Sequence, residues 1–138
     1  MRGVQKVIVL SNDTDVFVLV LYYVHYFMEK GLVEIWMKYG TGEGERLIPM
    51  HILGNIIKPK LCKIILKAHI LTGCDVTSKV GTKLAALNSE PELYLESFGE
   101  SEMPSTEVLK RAEQYLVQVL KKNSQCENFD KLRYLFTF

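Results

Sequence analysis

A chain of 138 residues with 48 % hydrophobic and 24 % charged residues can build one hydrophobic core of ordinary size, which excludes a disordered or fibrous protein. A formal net charge of +1 excludes a partner held by overall charge, so any electrostatic role must rest on local clusters. Cys62, Cys74 and Cys126 are far apart, with no CxxC pair and no histidine at zinc-ligand spacing; this excludes a zinc ribbon or a disulfide framework and suits a reducing compartment.

Val7 to Leu10 is a short β-branched apolar run followed by the turn residues Ser11-Asn12-Asp13, which predicts a buried strand ending in a loop. Val16 to Lys30 is long enough for a helix, apolar nearly all round and stopped at Gly31, so a helix sandwiched between layers is expected. Its apolar part, Val16 to Met28, is too short for a bilayer span and is bracketed by Asp15 and Glu29. No secretory signal is legible, so a soluble intracellular protein without membrane contact is expected. Leu32 to Lys38 alternates as a second strand, and strand, crossover helix and strand predict a right-handed parallel unit.

Gly40-Thr41-Gly42-Glu43-Gly44 predicts a turn, with Arg46 to Ile48 returning as a third strand in a hairpin. A phosphate-cradling loop would run from strand into helix and end in Lys-Ser/Thr, and this one does neither. Pro59 opens a helix from Lys60 to about Leu71, with Leu61, Ile64, Ile65, Ala68 and Leu71 on one face and Lys60, Lys63 and Lys67 on the other. Asp75 falls in the loop beyond it, before a short helix from about Val80 to Leu87. From Asn88 onward the pattern is helical. Ser89-Glu90-Pro91-Glu92 resembles a capping box, Ser105 and Thr106 open a helix to Lys122, and Asn128 can cap a last helix. In the long helix Leu109, Ala112, Leu116, Val119 and Leu120 form the expected core stripe. The expected organisation is one partial domain, with an α/β core over residues 1–88 and a helical extension over 89–138.

Asp13 and Asp15 stand at the C-terminal edge of the first strand, where paired carboxylates can hold a hard divalent cation; Asp-x-Asp also serves as a helix cap. Ser11-Asn12-Asp13-Thr14-Asp15 after an apolar strand, then Leu71-Thr72-Gly73-Cys74-Asp75, resembles the internal region of the flap-endonuclease and XPG nuclease family. The run His69 to Lys83, with SNDTDV upstream, is similar to mobile-element-associated eukaryotic proteins carrying HxLTGCDxTSxxGxK. The likeness covers about Val7 to Leu87.

The resemblance implies a PIN-like three-layer α/β sandwich, here incomplete. It implies that Asp13, Asp15 and Asp75 hold Mg2+ or Mn2+ for phosphodiester hydrolysis in nucleic acid, DNA first, in a nuclear setting. It further implies that Gly81-Thr82-Lys83 matches the family's phosphate-binding Gly-x-Lys turn. Charge distribution agrees in one place: Lys58 to Lys83 holds six lysines and one acid, while Glu90 to Glu113 holds seven acids against Lys110 and Arg111. Lys60, Lys63, Lys67 and Lys83 are therefore candidate phosphate contacts, with a solvated helix face as the competing reading.

The family's nucleases take further acids from an earlier strand and a glutamate-bearing helix, and only six residues precede the first strand here. The expectation is a fragment, weak or inactive alone, whose apolar sheet edge is covered by a missing N-terminal half or a protein partner. Whether this chain is itself an enzyme stays open. The alternative is a non-catalytic, mobile-element-derived module that binds nucleic acid or protein. A phosphohydrolase with an aspartate nucleophile also fits Asp13 and Asp15 but leaves the Thr-Gly-Cys-Asp loop unexplained.

Overall fold

Alternation along β1 (Lys6–Leu10) and β2 (Glu34–Tyr39) places Val7 and Val9 beside Ile35 and Met37 in a parallel pair, with Lys6 opposite Glu34. These observations come from a computed structural model that describes residues 3–73 and 79–136. The connection between the strands is α1 (Thr14–Glu29), and β3 (Arg46–Pro49) returns antiparallel to β2, so the sheet runs β1-β2-β3. The α/β class and the strand-helix-strand unit are as expected. The glycine-rich turn makes a hairpin: Gly40 has φ +90°, and a Cβ there would lie 2.4 Å from the Gly44 carbonyl oxygen.

After β3 come α2 (Met50–Ile57), α3 (Pro59–Leu71), α4 (Lys83–Asn88), α5 (Pro91–Tyr94), α6 (Thr106–Leu120) and α7 (Phe129–Phe136). Packing divides the chain into two units, Met1–Leu66 and Lys67–Phe138. No helix among the described residues is long and apolar enough to cross a membrane.

The first unit's core joins Val20, Leu21 and Val24 of α1 to Ile35 and Met37 of β2, Met50 of α2 and Cys62 of α3. Helix α2 escaped the sequence reading because Pro49 offers no side-chain cap and Gly54 sits in its middle. Gly54 is what lets it pack, since a Cβ there would stand 2.5 Å from Val24 Cγ1. The His51 ring lies across Ile35, its Nδ1 3.3 Å from the Ile35 amide and 3.1 Å from the carbonyl, which accounts for that histidine structurally.

Three expectations fail here. β1 is not a buried strand: Val7 and Val9 are half-buried, while Ile8 and Leu10 are exposed. α1 is not sandwiched: it buries Val18, Val20, Leu21 and Val24 but leaves Leu19, Tyr23, Tyr26 and Phe27 exposed. Tyrosine reads as apolar in a periodicity count, yet its ring tolerates a wet edge. On α3, Ile64 and Ala68 are buried and Lys60 and Lys63 exposed as the two faces require, but Lys67 is buried and Leu61 exposed.

In the second unit Ala68, Ala86, Leu95, Ala112, Tyr115 and Val119 form the core. Ser105 caps α6 by accepting the Val108 N–H at 3.2 Å, and Asn128 caps α7 by accepting the Lys131 N–H at 2.9 Å, both as expected. The capping box at Ser89 does not form. Ser89 instead donates to the Ala85 carbonyl at 2.7 Å, and Glu90 precedes α5 with φ 54° and no side-chain cap. Of the α6 stripe, Ala112 and Val119 are buried and Leu116 packs against the same core as expected, while Leu109 and Leu120 are about half exposed and Tyr115 and Val117 are buried. The large Tyr115 ring takes the interior position because its hydroxyl finds the Ala86 carbonyl at 2.7 Å.

Candidate acidic loop and lysine surface

The loop from β1 into α1 is held by its own side chains. Ser11 N–H continues the ladder to the Lys38 carbonyl at 3.4 Å, and Ser11 Oγ accepts the Asp13 N–H at 3.1 Å. Asp13 Oδ1 accepts the Asp15 N–H at 2.9 Å, so Asp13 is the N-cap of α1 with extended backbone (φ −85°, ψ 123°). Asn12 Oδ1 accepts the Gly40 N–H at 2.8 Å, joining the acidic loop to the β2–β3 turn.

Together these bonds place Asp13 and Asp15 just past the C-terminal end of a parallel strand, the edge where open α/β sheets bind ligands. Beside them opens a shallow cleft of about 300 Å³ lined by Ser11, Asn12, Lys38 and Glu45, the last two ion-paired at 3.1 Å. Asp13 is exposed and Asp15 partly so. Their oxygen-only chemistry fits a hard cation such as Mg2+ or Mn2+. Asp75, with Cys74, Thr77 and Ser78, lies outside the described residues. Among the described residues no three His, Cys, Asp or Glu side chains come together as a metal-holding group.

The lysines separate into two kinds. Lys60 and Lys63 are exposed on α3, as a polyanion surface requires. Lys67 is enclosed, its side chain 11 % exposed, and donates to the Glu100 carboxylate at 2.7 Å and the Glu96 carbonyl at 2.8 Å. Lys83 reaches back to the end of α3, donating to the His69 carbonyl at 3.0 Å, to Thr72 Oγ1 at 3.2 Å and to the Gly73 carbonyl. An ammonium on the last carbonyls of a helix satisfies groups that would otherwise lack partners.

The rest of the Gly-x-Lys turn also has internal duties. Thr82 Oγ1 accepts the Ala85 N–H at 3.0 Å as the cap of α4. Gly81 has φ +65°, and a Cβ there would meet Val119 Cγ1 at 2.7 Å. Lys67 thus differs from the exposed phosphate contact expected of it, because it is enclosed in the second unit, while Thr82 and Lys83 remain exposed and also make these internal bonds.

Sequence reading missed the bridge from Asn12 to Gly40, since nothing local pairs positions 28 apart. It also passed over the tyrosines of α1. Their i, i+4 spacing at Tyr22 and Tyr26 was a visible signal, submerged in an apolar run.

What the fold and loop define is an α/β protein with an acidic turn at the carboxyl end of its parallel strand pair. Comparison with known proteins finds no family model, no curated protein and no solved structure that matches this chain.

Proposed function

We propose that this chain is the acidic-loop part of a PIN-like, divalent-metal-dependent nuclease domain acting on nucleic acid phosphodiesters, with Asp13, Asp15 and Asp75 as its metal-ligand carboxylates. The observation that carries the reading is the position of Asp13 and Asp15 at the end of β1, braced from two sides by Ser11 and Asn12. A bound Mg2+ or Mn2+ would supply charge neutralisation at the phosphodiester and a more acidic water. The chain's own part is to hold two carboxylates at a helix start and to offer Lys60 and Lys63 as salt-sensitive backbone contacts.

A second reading, a non-catalytic module for nucleic acid or protein binding, is favoured by one fact: the Asp13 carboxylate already caps α1. That duty persists with no metal present.

Asp13→Asn separates the two readings, because asparagine caps a helix as well as aspartate but carries no charge. Mn2+ titrated into isotope-labelled protein should broaden the amide resonances of residues 11–15, and Asp13→Asn should abolish the broadening at unchanged stability. Asp13→Ala should lose about 1 kcal/mol as well. Wild type without broadening rejects the nuclease reading and leaves the module.

A further inference from the structure

We propose that the groove between α1 and the start of α3 is a stacking site for single-stranded nucleic acid. It is independent of the acidic loop; it rests on reading the chain as a nucleic-acid protein and not on any metal.

The groove has a volume of about 410 Å³, and its walls include Tyr22, Tyr26, His25 and Lys63. Tyr26 is 54 % exposed and Tyr23 45 %, unusual for rings on a helix whose other side is core. The rings form a continuous set: Tyr22 and Tyr23 pack edge to face at 4.8 Å between centroids, Tyr23 lies 6.1 Å from Phe27, and Phe27 lies 5.9 Å from Tyr26. Two ammonium groups sit on this set, Lys30 at 5.5 Å from the Tyr26 centroid and Lys63 at 6.0 Å from that of Tyr22.

Exposed aromatic faces flanked by cations are the parts a single strand needs, bases stacking on rings while phosphates meet ammonium groups. Charge complementarity selects this occupant. Lys58 to Lys63 carries three lysines and no acid, and of the groove's own residues only Glu29 opposes them. A second copy docked about a two-fold axis would bring like lysines face to face, which disfavours self-association there.

The test is fluorescence anisotropy of a fluorescein-labelled twelve-nucleotide oligothymidylate at about 50 mM salt, a range where phosphate contacts are strong, with EDTA present throughout. Wild type should bind. Tyr23→Ala and Tyr26→Ala should each weaken binding about tenfold, and Tyr26→Phe should keep it. Lys63→Gln should reduce the slope of log affinity against log salt by about 0.7, the value of one single-strand phosphate contact. Circular dichroism verifies that each variant is folded. No binding by wild type, or equal affinity in the folded ring variants, overturns the proposal. So does a dimer in sedimentation that Tyr26→Ala dissolves, which assigns the face to a second copy. Oligonucleotide binding in EDTA by a protein that shows no Mn2+ broadening keeps this inference while rejecting the nuclease reading.

Discussion

The Asn12 side-chain oxygen accepts the Gly40 backbone N–H at 2.8 Å, so the loop bearing Asp13 and Asp15 is fastened to a turn 28 residues away. The bond is exposed, and its loss should cost about 0.5–1.5 kcal/mol. Asn12→Ala should speed hydrogen exchange at the Gly40 amide, and Asn12→Asp, which keeps the acceptor, should not. Unchanged Gly40 exchange in Asn12→Ala would show that the loop is held without this contact.

Lys67 and Glu100 form a pair with one enclosed and one largely exposed member, 11 % and 62 % by side chain. Exposure of the carboxylate screens the attraction, so Glu100→Gln should cost less than about 1 kcal/mol in urea unfolding. Lys67→Met also removes the bond to the Glu96 carbonyl and should cost about 1–2 kcal/mol. Because the ammonium faces protein, Lys67→Met should leave the salt dependence of oligonucleotide binding unaltered, unlike Lys63→Gln. A reduced salt slope in Lys67→Met would return this residue to the phosphate surface.

Burial, with the Glu92 carboxylate as a second cause, pushes the Tyr115 phenol well above its ordinary value of about 10. Above that pH the unfolded chain ionises the phenol while the folded chain keeps its proton. Stability from this group is therefore complete below about pH 10 and lost as pH rises beyond it. Urea midpoints followed from pH 8 to 11 should fall more steeply for wild type than for Tyr115→Phe. Parallel slopes would mean the phenol ionises freely in the fold. At neutral pH the same substitution should cost about 1–2 kcal/mol, since the Ala86 carbonyl loses its donor.

Gly54 and Val24 test the contact between α1 and α2. Alanine in a helix gains about 0.8–1 kcal/mol over glycine, but overpacking costs about 1–3 kcal/mol, so Gly54→Ala should be destabilising overall. In a Val24→Ala background the 2.5 Å clash is gone, and Gly54→Ala should turn stabilising. The same sign in both backgrounds would place the glycine's role elsewhere.

Much of the fold was legible in local pattern. The β1-α1-β2 unit, the hairpin at Gly40 and the caps at Ser105 and Asn128 all follow from periods of two and 3.6 residues and from turn and capping chemistry. Helix α2 was not, because eight residues with a central glycine have little helical preference of their own and depend on Val24 for a packing surface. The α6 stripe was legible at Ala112, Leu116 and Val119 but not at Tyr115, whose hydroxyl partner, the Ala86 carbonyl, lies 29 residues away. Of the candidate site, the loop at Asp13 and Asp15 was read from its text, while its brace to Gly40 was invisible.

The sequence by itself determined where the acidic turn stands: Asp13 follows an apolar strand and precedes a helix, and capping acts over two or three residues. Tertiary structure alone decided which lysines face solvent. Lys60, Lys63 and Lys67 share a spacing, but the third finds its acceptors 29 and 33 residues further along the chain. Helical periodicity says that side chains share a face and says nothing of what the fold brings to that face.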